Sequence, residues 1–236
     1  PTGGWTPARE MGQERKGFIE RGDVKAVKMR VGSQDGVVRN SIARVKAARA
    51  ALGPEIDIMV DAHGTWNVAE AKRFARGVAD CEVAWFEEPV VGDDKRGMAE
   101  VRAATDIPIA AGESEFTRFD FRDFLEARAV DVLQPDLAIA GGITEAMRIA
   151  SLASAWNLGF APHLWTGALG STAGLHALAA STSGSIVEYS LWHNPLLHDL
   201  AVANFPVVAG EVGGPDRPGL GVTIDEAVVR ETAQPK

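Results

Sequence analysis

Six residues able to do chemistry recur along this chain at nearly constant intervals. Asp61, Glu87, Glu113, Asp136, His163 and Glu188 are separated by 26, 26, 23, 27 and 25 residues, each at or near the C-terminal end of a short apolar run. Brought to one point, the first three carboxylates would repel one another and raise each other's pKa, so their assembly calls for a cation. Oxygen-only ligation without cysteine selects a hard ion, Mg²⁺ first and Mn²⁺ second. Asp136 and His163 fall on neighbouring runs. A carboxylate bonded to one ring nitrogen fixes the tautomer and raises the basicity of the other nitrogen, as a general base requires. Lys28 and Arg30 are two residues apart, hence on one face of a strand, and His63 lies just past Asp61. Glu88 adjoins Glu87 but should point the opposite way, so it receives no metal role. Bland readings exist for every one of these residues taken alone. Acids at strand ends are commonly solvated or capping, a lone histidine is more often structural, and Lys25, Lys28 and Arg30 could form a polar outer edge. Their common register is what favours chemistry.

The elements that would position these residues alternate. Apolar or β-branched runs at 26–31, 56–62, 83–89, 108–113, 130–136, 159–164 and 185–190 read as strands. Helical patterns lie between them. Val38, Ile42, Val45 and Leu52 share one helical face, and Asn67 with Glu70 resembles a capping box ahead of Val68, Ala71, Phe74 and Val78. Thr117 and Thr144 are expected to cap the next two helices. The strands are almost continuously apolar, as when both faces of a parallel sheet are covered. Strand and helix in alternation mean βαβ units with right-handed crossovers. No glycine-rich phosphate fingerprint follows the early strands, so a closed barrel is preferred to a doubly wound sheet. In a barrel the C-terminal strand ends form one face, where barrel active sites are built. Such a barrel wants eight strands, and Pro1–Trp5 reads as the tail of the first. Residues 1–190 are therefore expected to form a barrel lacking most of that strand. The Pro- and Gly-rich residues 191–236 are expected to leave it.

Composition removes several function classes. The 236 residues carry a net charge of −8 without a Lys or Arg cluster, so nothing supplies the basic stripe that nucleic acid needs. Cys81 is the single cysteine, which excludes a disulfide within the chain and fits a reducing compartment. No signal-peptide pattern opens the sequence, so a cytoplasmic location is expected. Ile149–Val187 contains no charged residue over 39 positions. A membrane span is rejected there, because Asn157, Pro162, His163 and His176 interrupt it and Ser, Thr and Gly are dense. A buried, site-facing or interface region is expected instead.

The runs VKMRVG (27–32), VDAHG (60–64), WFEEP (85–89), AAGES (110–114), LQPDLAIAGGIT (133–144), APHLW (161–165) and VEY (187–189) together resemble the enolase superfamily, within it the mandelate racemase-like subgroup. The resemblance covers the chain from Lys28 to Glu188 in order. It implies an α/β fold, a modified TIM barrel of (β/α)₇β type. The C-terminal tail would return toward an α+β capping domain formed mostly by residues ahead of the barrel. It also implies Asp61, Glu87 and Glu113 as Mg²⁺ ligands and Asp136 with His163 as the base pair. Lys28 would stabilise developing charge, and Glu188 would be a protonated acid facing the substrate carboxylate. A small-molecule carboxylate substrate and a homo-oligomer are implied as well. Two departures from the family pattern bear on the reaction. Arg30 stands where a basic lysine would be needed for racemisation, and arginine is a poor base but a good anion clamp. His63 matches the position of a histidine that, in galactonate dehydratase-like members, protonates a departing hydroxide. The expected activity is thus dehydration of a sugar acid, aldonate or aldarate, to a 2-keto-3-deoxy acid, with Arg30 and Trp165 contacting substrate. An epimerase or lactone cycloisomerase of the same subgroup is the nearest alternative. A catalytically silent scaffold is the alternative from another class, and absence of Mg²⁺ binding would favour it.

Overall fold

The computed structural model describes residues 2–3, 10, 16–17, 19–20, 22–201 and 207–233. Among them seven strands form one wholly parallel sheet in sequence order. They are β1 (Thr2–Gly3), β2 (Ala26–Arg30), β3 (Asp57–Asp61), β4 (Val83–Glu87), β5 (Ile109–Ala111), β6 (Val132–Leu133) and β7 (Gly159–Phe160). Period-two alternation divides their side chains between two environments. Val27, Met29, Ile58, Val60, Phe86, Ile109, Ala111 and Leu133 join the large core under the helices. The other face supplies Met59, Trp85 and Ala110, which cluster with Ala161 and touch Ala26, Val132 and Ile186. Residues from both ends of the strand series thus share one interior, as a barrel requires. The same alternation turns Lys28, Arg30, Asp61 and Glu87 inward.

Helices α1 (Val38–Leu52), α2 (Val68–Gly77), α3 (Lys95–Arg102), α4 (Thr117–Ala127), α5 (Leu137–Ala140), α6 (Gly142–Ala155) and α7 (Ala168–Ala180) cover the outside. The capping box on α2 is present, with Glu70 N–H donating to Asn67 Oδ1 at 3.0 Å and Asn67 N–H donating to Glu70 Oε2 at 3.2 Å. Phe74 is fully buried and its ring lies 5.1 Å from that of Phe86, which ties α2 to β4. Two expected caps are not realised. Thr117 is the first residue of α4 with φ 51°, and α6 starts ahead of Thr144, after Gly141. Asp120 Oδ2 accepts the Phe116 N–H at 2.8 Å, and Thr117 Oγ1, from inside the helix, accepts the Phe119 N–H at 3.4 Å.

The expected strand at 185–190 is also corrected. It makes no ladder among the described residues beyond a bridge between Phe160 and Gly184. It runs as irregular chain along the interior, where Ile186 packs on the interior cluster and Glu188 reaches Lys28. The uncharged stretch becomes the end of α6, β7 and α7. The small residues of α7 permit a close approach, since a Cβ on Gly174 would come within 2.2 Å of Leu164 Cδ2. Beyond residue 190 come α8 (Pro195–His198), the antiparallel pair β8 (Val207–Val208) and β9 (Glu211–Val212), and α9 (Glu226–Thr232). Among the described residues no helix is long and apolar enough to cross a membrane.

Candidate active site

The C-terminal strand ends gather the expected residues around Glu113. Gly112 allows this. It has φ 137°, and a Cβ there would sit 2.6 Å from the Phe121 ring, so only glycine turns the chain to present Glu113. Asp61, Glu87 and Glu113 each offer an oxygen, all within 4.8 Å of one another. All three are buried. Glu113 Oε2 is a buried acceptor without a hydrogen-bond donor. An orphaned carboxylate oxygen beside two further carboxylates is a donor set that fits a hard divalent ion.

Cations hold two of these acids. Lys28 Nζ lies 2.7 Å and 2.9 Å from the Glu87 oxygens and 2.7 Å from Glu188 Oε1. Glu87 Oε2 also accepts from Trp85 Nε1 at 3.1 Å and Gln134 Nε2 at 2.9 Å. Arg30 pairs with Asp61 Oδ2 at 3.0 Å. The two histidines approach Glu113 from opposite oxygens. His63 Nδ1 lies 3.0 Å from Oε1, and His163 Nε2 lies 3.4 Å from Oε2. His163 Nδ1 is 3.0 Å from Asp136 Oδ2, while the other Asp136 oxygen accepts the Ala138 N–H at the start of α5. The carboxylate that orients the histidine is thereby itself anchored on a helix N-terminus.

One sequence expectation changes. Glu88 does not point away. Its φ of 39° breaks the alternation, and its carboxylate is buried 3.6 Å from His63 Nδ1, facing Glu113. A hydrogen bond from Gly64 N–H to Glu88 O, 2.9 Å, holds the turn. No feature of the sequence announces this reversal. At Glu188 burial favours the protonated form, while Lys28, His163 and the Leu164 N–H act the other way and lower its pKa. Trp85 and Gln134 were missed, although each precedes a named acid by two residues and so shares its face. Trp165 is half exposed.

Charge crowding marks the remaining groups. Burial, then Glu87, pushes Asp61 up to about 7 against Lys28 and Arg30, and burial with Glu113, Asp61 and Glu87 lifts Glu88 to about 8. Burial works against the His163 imidazolium, yet Asp136, Glu188 and Glu113 raise it to about 9. All three groups bind protons more tightly when folded, so each contributes stability at low pH that is lost as pH climbs through its folded value. The metal-free protein should therefore melt at least about 4 °C lower at pH 9 than at pH 5, and Mg²⁺ should flatten the dependence. Thermal unfolding in EDTA across this range checks it, and a melting temperature that rises with pH would contradict the electrostatics of the cluster.

A family model described as enolase C-terminal domain-like matches residues 8–228. The chain belongs to that family. Its mandelate racemase and enolase neighbours share the barrel. A D-galactonate dehydratase of Ralstonia nicotianae is 38% identical over 200 residues, covering 82% of this chain and 52% of that protein. A D-galactarolactone cycloisomerase of Agrobacterium fabrum is 34% identical over 237 residues, 97% of this chain and 60% of that protein. The crystal structure of an enolase superfamily member from Polaromonas sp. JS666 superposes with a TM-score of 0.90 at 38% identity, covering 97% of this chain and 60% of that one. The enolase-type chain thus spans between half and two thirds of the length of these relatives.

Proposed function

We propose that the protein is a Mg²⁺-dependent dehydratase of a sugar acid. The observation that carries this reading is the placement of two histidines on opposite oxygens of one carboxylate, His163 held through its other ring nitrogen by Asp136 and His63 with its Nδ1 shared between Glu113 and Glu88. Elimination needs a base at carbon 2 and an acid at carbon 3, close together. Asp61, Glu87 and Glu113 would hold the ion. When bound, Mg²⁺ supplies positive charge that offsets what develops on the substrate carboxylate.

The chain's own residues do the rest. His163 Nε2 accepts the proton from carbon 2, and Asp136 stabilises the imidazolium that results. Its ring must first be neutral. The negative field that raises its pKa comes partly from Glu113, and a cation on Glu113 weakens that field. Lys28 lies between Glu87 and Glu188, where its ammonium faces the charge developing on the substrate carboxylate. Arg30 clamps the carboxylate or a neighbouring hydroxyl. His63 protonates the carbon 3 hydroxyl as the C–O bond breaks, and the leaving group departs as water. The enol then tautomerises to the 2-keto-3-deoxy acid. Relatives that are dehydratases support this outcome, and a cycloisomerase relative supports lactone opening as the second reading.

Incubation with open-chain aldonates and aldarates separates the two. Dehydration forms a 2-keto acid lighter by one water, whereas cycloisomerisation of a lactone leaves the mass unchanged. The His63 role is separable too. His63→Asn should lower elimination by roughly 10²–10³-fold, the range for a positioned proton donor, while retaining exchange of the carbon 2 proton in deuterated water. Joint loss of exchange and elimination would assign His63 to substrate binding or structure instead.

A further inference from the structure

Glu113 belongs to two groups of potential ligands. The three carboxylates are one, and His63, Glu88 and Glu113 are the other, again with one atom from each within 4.8 Å of the rest. His63 Nδ1 lies 3.0 Å from Glu113 Oε1 and 3.6 Å from Glu88 Oε2. A tetrahedral Zn²⁺ with bonds of about 2.0–2.2 Å separates neighbouring ligand atoms by about 3.4 Å, so both spacings are near those of a loaded site. Glu88 points to a ligand independently. The residue is only 6% exposed, yet among the described residues no donor lies within hydrogen-bond distance of its carboxylate, whose one ion-pair contact is His63. Burying a carboxylate without a donor is costly, and coordination of a cation satisfies it. Backbone contacts hold the group in place. The His63 N–H donates to Asp61 Oδ1 at 2.8 Å, the Gly64 N–H donates to Glu88 O at 2.9 Å, and Thr65 bridges to Val90. The His63 side chain is 54% exposed, which gives an ion and a fourth, water ligand a route from solvent.

We propose that His63, Glu88 and Glu113 form a second cation site, for a transition ion such as Zn²⁺, which shares Glu113 with the three-carboxylate site. Donor chemistry separates the two. Imidazole nitrogen suits Zn²⁺, whereas the oxygen-only set suits Mg²⁺. Two carboxylates and a neutral imidazole balance the charge of one divalent ion. Glu113 can serve both sites, because Oε1 faces His63 while Oε2 accepts no hydrogen bond and is left for the carboxylate set. The site stands on these residues alone, but one consequence rests on the dehydratase reading. An ion on Nδ1 keeps the His63 ring a neutral imidazole and denies it the second proton that a departing hydroxide needs. Zn²⁺ is then an inhibitor of elimination that acts through the acid and leaves His163 in place.

The test titrates Zn²⁺ by calorimetry into tag-free protein kept in excess Mg²⁺, with bound ions counted by equilibrium dialysis and elemental analysis. One Zn²⁺ per chain should bind with Mg²⁺ retained. His63→Asn and Glu88→Gln should each weaken Zn²⁺ by at least the roughly 10–100-fold that changes one layer out from a metal produce, and both should keep Mg²⁺. Co²⁺ in place of Zn²⁺ should give the visible absorption of a four-coordinate nitrogen and oxygen site, lost in His63→Asn. That spectrum reports the site even where Glu88→Gln folds poorly. Absence of Zn²⁺ binding, Zn²⁺ that merely replaces Mg²⁺ at one ion per chain, or unchanged affinity in either variant overturns the site. If Mg²⁺ fails to bind while Zn²⁺ still depends on His63 and Glu88, the Mg²⁺ reading falls and this site stands. Keto-acid formation is followed in the same samples. Zn²⁺ bound as expected without any keto acid overturns the dehydratase reading alone, and elimination at full rate with Zn²⁺ bound overturns the inhibition.

Discussion

His163→Asn should lower dehydration by roughly 10³-fold or more and abolish exchange of the carbon 2 proton, at the upper part of the range for a general base. Asparagine keeps a polar side chain near Asp136 but cannot take a proton at neutral pH. The fold should survive, because His163 contributes no large apolar surface and its backbone N–H, which donates to Pro135 O at 3.2 Å, is retained. Mg²⁺ binding should persist as well, since the ring nitrogen is 3.4 Å from Glu113 and outside the three-carboxylate set. Turnover and solvent-deuterium incorporation by mass spectrometry give the result. A variant that dehydrates at the original rate would remove His163 from the base position.

The second large effect concerns the carboxylates. EDTA should reduce turnover to about the level of the His163→Asn variant, with recovery on adding Mg²⁺, because charge on the substrate carboxylate then lacks its main neutraliser. Glu113→Gln should weaken Mg²⁺ by at least the roughly 10–100-fold typical of changes one layer out from a metal. Removing one of four crowded acids should also ease their repulsion. The metal-free Glu113→Gln protein is thus expected to melt above metal-free wild type, while gaining less from added Mg²⁺. Isothermal titration and thermal unfolding with and without Mg²⁺ measure both halves. Unaltered Mg²⁺ affinity would mean that these acids do not form the ion site.

Much of the site was legible because strands impose a strict period. Lys28 with Arg30, and Asp61 and Glu87 at matching strand ends, follow from alternation and unit length, and the barrel brings them together as that pattern requires. Trp85 and Gln134 obey the same period and could have been found by it. What lay outside the reading departs from the period. Glu88 turns inward through a left-handed backbone angle, Glu188 pairs with a lysine from the opposite end of the strand series, and the chain around Glu188 forms no regular strand.

The boundary between the two follows from range. Side-chain periodicity and unit spacing are local properties, so the sequence alone determined the alternating fold, the inward face and the identity of the converging acids, histidine and cations. Protonation states, the reversal at Glu88 and the sharing of Glu113 between two histidines depend on distances between residues remote in the chain. Burial and electrostatic fields in the closed barrel set those distances and charges, and only the tertiary structure decided them.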